Sequence, residues 1–341
     1  MIRLTLLFAA IPAFLMAGCS APNTEPNRPA LPPLADLTAY HIVDPSTDTA
    51  LSIAQAAAAL SDADVVFLGE THRHPGNHLA QMALFRALHE KHSDTALSLE
   101  QFERDVQTIV DQYLSGDIGE ATLREKGRAW DNYPVSYRPL VEYAKENGLA
   151  VIASEAPNMV VRCVGRQGPD FLATLPADKQ HWSALTLRLE DGPYKDRFVE
   201  FAVGNAGHGK STGEDDTVSA AVLRSFAAQV TRDETMAQSI VQYIDANPGH
   251  RVVHLNGSFH SAGFLGTAER VMWDRPDLEV AVVHPIEVAD PNNPEIPEDL
   301  RGEGTLLLLI QPEPKSYVSD DEERDAIIAQ MNFRKSVDCE L

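Results

Sequence analysis

Short apolar runs along the chain alternate with longer segments whose apolar positions recur every three or four residues. Residues 65–68 (VVFL), 95–99, 150–153, 251–255, 279–283 and 306–310 predict strands. Apolar runs of this length suit strands covered on both faces. Between them, 78–89 carries Leu79, Met82, Ala83 and Leu88 at helical spacing, and 106–114 carries Val106, Ile109, Val110 and Tyr113 on one stripe. Residues 140–146, 235–246 and 262–273 predict further helices; Asn147-Gly148 stops the first and Asn247-Pro248-Gly249 the second. The alternation predicts an α/β fold with a mostly parallel sheet and helices on both faces. Residues 165–230 break the rhythm and read as an irregular or helical cap insertion. No internal repeat is visible.

The N-terminus follows a different rule. Arg3 precedes an apolar run from Leu4 to Ala17, which ends in Met16-Ala17-Gly18-Cys19. A short apolar core closed by small residues is an export signal, here 1–18. The Ala-Gly-Cys junction resembles the lipobox of bacterial lipoproteins, so lipidation (palmitate) is expected at Cys19. Ser20 behind that cysteine favours the outer membrane, with the protein facing the periplasm. Pro22, Pro26, Pro29, Pro32 and Pro33 make 19–37 read as a tether, and the folded domain as 38–341. Cys163 and Cys339 then remain, either bonded to each other or as two free thiols.

Composition narrows the function. With 341 residues, 44% hydrophobic and 23% charged, the chain has globular composition. Its formal net charge of −22 argues against nucleic acid, whose binding needs clustered Lys and Arg. Beyond residue 20 no segment approaches the roughly 20 apolar residues of a membrane helix.

The polar residues gather where the strands end. Glu70, His72, His74 and His78 follow the first strand, Glu100-Gln101 the second and Ser154-Glu155 the third. Asn256 to His260 and His284-Pro285 follow two later ones. Parallel sheets bind ligands in the crevice outside these carboxyl ends, which makes the recurrence a candidate site. Its donors are nitrogen and oxygen, a set suited to Zn, Mn or Fe. Pro75-Gly76 between His74 and His78 breaks the helical turn a zincin motif would need. Glu70, His72, Glu100 and His260 could hold a metal with an open position, or the imidazoles could meet a larger cofactor. Residues 204–211 fit the Walker A pattern letter for letter, but Glu214, Asp215 and Asp216 follow where a phosphate-binding helix would open. A Gly-rich loop presenting His208 to the site is the simpler reading. Among the aromatics Trp130, Tyr133, Tyr137, Tyr194, Phe198 and Phe201, Tyr133 is read in a loop and as a candidate iron ligand.

Residues 65–81 (VVFLGETHRHPGNHLAQ), 98–107, 137–157, 228–240 (AQVTRDETMAQSI) and 251–266 (RVVHLNGSFHSAGFLG) resemble the ChaN-like haem-binding uptake family of the Tiki superfamily. The superfamily's paired G-x-x-H motifs map onto Gly69–His72 and Gly257–His260, with Glu100 as the acidic partner. The resemblance implies an iron-related lipoprotein that binds haem, with two haems facing each other across a homodimer. His72, His74, His78, Tyr133, Glu155, His208 and His260 are the candidate haem-binding residues. It equally implies kinship with metal-dependent peptidases working with Mn, Co or Zn through Glu70, His72, Glu100 and His260.

Overall fold

In the computed structural model, alternate residues of each central strand face opposite sides of one sheet. The structure describes residues 30–205 and 218–319, with 321, 322, 324–326, 329 and 339 from the C-terminal stretch. In chain order the elements are β1 (Tyr40–Asp44), β2 (Thr49–Leu51), α1 (Ile53–Ala59), β3 (Val65–Glu70), α2 (Pro75–Lys91) and β4 (Thr95–Glu103). Then come α3 (Gln107–Ser115), α4 (Glu120–Lys126), α5 (Tyr133–Ser136), α6 (Arg138–Glu146), β5 (Val151–Glu155) and α7 (Asn158–Gln167). The last are α8 (Pro193–Asn205), α9 (Ala220–Ala246), β6 (Arg251–Gly257), α10 (Thr267–Asp274), β7 (Val280–Glu287) and β8 (Leu306–Ile310).

The eight strands form one sheet in the order β2-β1-β8-β7-β3-β6-β4-β5. The six from β8 to β5 are parallel, and β1 and β2 add an antiparallel edge. Val66, Leu68, Leu97, Leu99, Val253 and Leu255 pack on one face against α1, α2, α3 and α6. Val65, Phe67, Ala96, Val252 and Val282 pack on the other against α9 and α10. Both faces are apolar because both are covered, which is why these strands read as unbroken runs. The chain moves outward from β3 to β4 and β5, then returns through α9 to place β6 between β3 and β4. Strand order reverses there, and the crevice opens at that reversal.

Four expectations need adjusting. Part of the expected tether packs on the domain. Leu34 is 3% exposed among Val43, Ile286, Leu307 and Leu309, its N–H donates to Pro291 O and its carbonyl accepts from Gln311. Prolines at 32 and 33 forbid regular hydrogen bonding but not packing. The cap insertion is also more regular than expected and runs into α9, which starts at Ala220 rather than Thr235. Ser219 caps it, and Asp233 and Glu234 lie buried on it with partners, so polar residues hid its apolar stripe. Residues 262–273 are a 3-10 turn (Ala262–Phe264) followed by α10, with Gly263 at φ 64° inside the turn and Gly266 at φ 61° just before the helix. Finally, His284 and Pro285 lie inside β7, which continues to Glu287 beside β8. The thiols of Cys163 and Cys339 are bonded, Cα to Cα 5.6 Å, tying the C-terminal stretch to α7.

Candidate functional site

Register decides which side chains meet. In the parallel pairing of β3 with β6, Glu70 lies opposite Gly257; in that of β4 with β6, Leu99 lies opposite Leu255, one residue before Glu100. Glu70, Gly257 and Glu100 therefore stand side by side at the carboxyl edge. The Gly257 N–H donates to Glu100 Oε2 at 2.5 Å. A Cβ on Gly257 would fall 2.9 Å from His72 Nε2, so the imidazole rests where only glycine leaves room.

Glu70 is buried, and its Oε1 accepts from His72 Nδ1 at 2.6 Å, Tyr137 Oη at 2.7 Å and Gln101 Nε2 at 3.3 Å. Burial opposes its charge, but the His72 bond, the nearby His78 and the Tyr137 hydroxyl outweigh it and hold the carboxyl below its usual range. His72 is half-exposed, and its ring meets Trp130 edge-on at 5.3 Å. Its own desolvation is outweighed by Glu70 and Glu100, so its pKa is raised. Nε2 of His72 has no hydrogen-bond partner among the described residues.

Across Gly257, a 3-10 turn from Ser258 to His260 delivers the second imidazole. His260 Nδ1 donates to Asp233 Oδ1 at 2.7 Å, and Nε2 lies 3.8 Å from Glu100 Oε1. Asp233 also accepts from Thr267 Oγ1 at 2.9 Å and Tyr194 Oη at 2.6 Å. Burial works against the imidazolium, but Asp233 and Glu100 prevail and push His260 up to about 9. Asp233 is correspondingly held low, its burial outweighed by His260. At the rim, Glu155 on β5 pairs with Arg232 of α9 at 2.5 Å, and burial beside Glu100 raises its carboxyl. Trp130 borders His72, while Phe259, the residue before His260, meets the exposed Phe201 at a tilt, ring centroids 5.5 Å apart.

Glu70, His72, Glu100, Glu155 and His260 thus converge, although they come from four strands and the turns behind them. The other expected residues do not join them in the crevice. His74 caps α2, accepting from Asn77 N–H at 3.2 Å, and its Nε2 meets Gln311 O at 2.8 Å, so both ring nitrogens are engaged. Arg73, at φ 70°, makes the turn that sends His72 and His74 in different directions. His78 sits behind Glu70, bound to Gln81 at 2.9 Å and 3.8 Å from Glu70 Oε2. Tyr133 begins α5 and is 1% exposed in the core, edge-on to Phe102 at 5.9 Å. Tyr137, one turn later, is the tyrosine that reaches the site. His284 lies mid-strand, and burial lowers it to about 4. Cys19 and His208 lie outside the described residues, as does most of the Walker-like stretch. Phe198 to Val203, ahead of that stretch, belong to α8, so the strand that a P-loop requires is missing there.

Glu70, His72, Glu100 and His260 share one crevice, where Glu70 is bound to His72 and Tyr137, Glu100 to the Gly257 amide and His260 to Asp233, leaving His72 Nε2 without a partner among the described residues. Among the described residues, no three His, Cys, Asp or Glu side chains are grouped to hold a metal ion. Asp233, Tyr137 and Arg232 were missed as site residues. Asp233 and Arg232 stand in the RDETMA run, but only the placement of α9 over the crevice reveals their partners.

The comparisons agree with this fold. The sequence pattern described as "Haem-binding uptake, Tiki superfamily, ChaN" matches residues 56–271. The chain belongs to this family. ChaN of Campylobacter jejuni, solved with haem bound cofacially, is 14% identical, covering 80% of this chain and 97% of that one with a TM-score of 0.58. A mutant erythromycin esterase, EreC, in its open conformation, is 14% identical over 85% and 86% of the two chains, TM-score 0.43. Protein RETICULATA-RELATED 5, chloroplastic, of Arabidopsis thaliana is 26% identical over 59% of this chain, which spans only 28% of that protein.

Protonated His260 is favoured by the fold. Its contribution to stability is full below the ordinary value of 6.5 and is lost as pH rises through about 9. Glu70 and Asp233 act oppositely, contributing above the usual carboxylate range and losing that contribution as pH falls. NMR titration of the His260 ring should give a midpoint near 9 in the wild type, falling in Asp233→Asn, where the strongest opposition to burial is removed. A wild-type midpoint under 7, or no response to the substitution, would contradict the assigned pairing.

Proposed function

We propose that this chain binds haem as its cargo at the crevice mouth, with His72 as the residue that meets the iron. The carrying observation is the His72 imidazole itself: half-exposed, its Nδ1 fixed by a buried carboxylate and its Nε2 without a partner among the described residues. A carboxylate behind a ligating histidine sets the tautomer and strengthens the donor. Trp130 offers apolar surface beside His72, and Phe259, the residue before His260, adds more with the exposed Phe201, as a porphyrin needs. Membership of the haem-binding uptake family supports the same reading. Cofacial binding in ChaN of Campylobacter jejuni extends the proposal to two haems facing each other in a homodimer.

A second reading rests on a different observation. Two carboxylate–imidazole pairs, Glu70–His72 and Asp233–His260, flank Glu100 in one crevice. Paired in this way, one imidazole can take a proton while the other gives one, which is the equipment of a hydrolase. Haem binding and hydrolysis predict different titrations.

Haemin added to the purified protein should give a saturable Soret shift with defined stoichiometry. His72→Ala should abolish that shift, and Glu70→Gln should weaken binding by roughly 10- to 100-fold, the scale of losing a carboxylate behind a ligating histidine. An absent shift, together with an ester- or peptide-cleaving activity lost in both His72→Ala and His260→Ala, would replace the first reading with the second.

We further propose that Cys19 carries lipid and holds the domain at the outer membrane, facing the periplasm. The Ala-Gly-Cys junction motivates this, and the Cys163–Cys339 bond suits an oxidising compartment. Labelled palmitate should enter the wild type and not Cys19→Ala, which should leave the membrane fraction or persist uncut. Wild-type protein that takes up no label yet remains membrane-bound would sink the anchor.

A further inference from the structure

Residues 188–195, with α9 and α10, line an open-mouthed cavity of about 390 Å³ on the cap side of the sheet. Its volume lies at the lower end of the range that houses small organic ligands. The apolar lining is aromatic. Tyr194 and Phe226 stand with ring centroids 6.0 Å apart, and Trp273 is 52% exposed. The guanidinium carbons of Arg188 and Arg270 lie 5.0 and 5.5 Å from the Trp273 ring, so the indole is already polarised by cations.

The charges are layered. The side chains of Arg270, Lys195 and Arg188 are 2%, 20% and 28% exposed, whereas that of Asp191 is 93% exposed. Glu269, the most covered acid of the lining, is spent on Arg270 at 2.8 Å, and burial pushes its carboxyl up. The arginines are committed: Arg188 to Glu234 and Asp274, Arg270 to Glu234 and Glu269. Lys195 is not committed in that way. It pairs across one helical turn with the solvated Asp191, and such pairs are weak in water and easily exchanged. Lys195 also stands 5.9 Å from the Phe226 ring, which puts the ammonium that a ligand carboxylate would meet beside the aromatic lining.

We propose that this cavity is a second binding site, separate from the strand-end crevice, for a small flat aromatic carboxylate. The ring would lie among Trp273, Tyr194 and Phe226, and the carboxylate would take the place of Asp191 on Lys195. Tyr194 also holds Asp233, so the diagnostic variants are placed at Trp273 and Lys195, away from that contact.

The probe is 2-naphthoate, titrated calorimetrically into the full chain. One saturable site is expected, with a dissociation constant on the order of 1 mM or tighter for a ligand of this size. Trp273→Ala should weaken it about tenfold or more, as removal of an aromatic anchor does. Lys195→Met should weaken 2-naphthoate while leaving neutral 2-naphthalenemethanol unchanged. Saturating haemin should not displace the probe. No binding, wild-type affinity in both variants, or one-for-one displacement by haemin would each overturn the proposal. The last would place the naphthoate in the crevice.

Discussion

Gly257 is the point at which three strands' worth of chemistry is forced together. Its amide donates to Glu100 from β4, and its missing Cβ leaves the space that the His72 ring occupies from the β3 side. Three residues later the same turn presents His260. Parallel pairing fixes the level at which each strand ends, so a shift of one residue would turn Glu70 and Glu100 to the opposite face. The crevice is a consequence of register before it is a consequence of side-chain choice.

Burying Glu70, Glu100, Glu155 and Asp233 within one region would be prohibitive without partners. Each has one: His72 and Tyr137, the Gly257 amide, Arg232, and His260 with Tyr194 and Thr267. These partners come from both layers. Tyr137 rises from the α5–α6 side and Asp233, Arg232 and Tyr194 descend from the cap, so both helical layers must be in place before the site is satisfied. Removing one partner leaves a buried charge exposed to nothing, which ordinarily destabilises by about 3–5 kcal/mol. Fold and site are held by the same bonds.

Much of this was legible in the chain. Unbroken apolar runs located six strands because both sheet faces are covered, and polar residues immediately after them located the crevice. Glu70, His72, Glu100 and His260 could be placed together from strand ends alone. The edge strands β1 and β2 were not legible, being short and half-exposed. Tyr133 and Tyr137 could not be separated by sequence, since both rings are buried and only the turn of a four-residue helix brings the hydroxyl of Tyr137, not of Tyr133, to Glu70. His74 and His78 share the neighbourhood of His72 in sequence, yet a left-handed residue and a helix cap take them elsewhere. Asp233 was hidden because a carboxylate inside a long helix reads as a solvated position until its neighbours are known.

The ChaN-family relationship points to haem, and we place the iron at the half-exposed His72 imidazole that Glu70 holds over Gly257. Gly257→Ala tests that junction most directly, because it adds one methyl group where the His72 ring now rests and alters no titratable group. The haemin affinity of this variant should fall by about tenfold or more, on the scale of a disturbed ligand support, with the melting temperature showing that the domain remains folded. Wild-type haemin affinity in a folded Gly257→Ala protein would contradict the account, since the ring and the ligand would then not depend on the space that glycine provides.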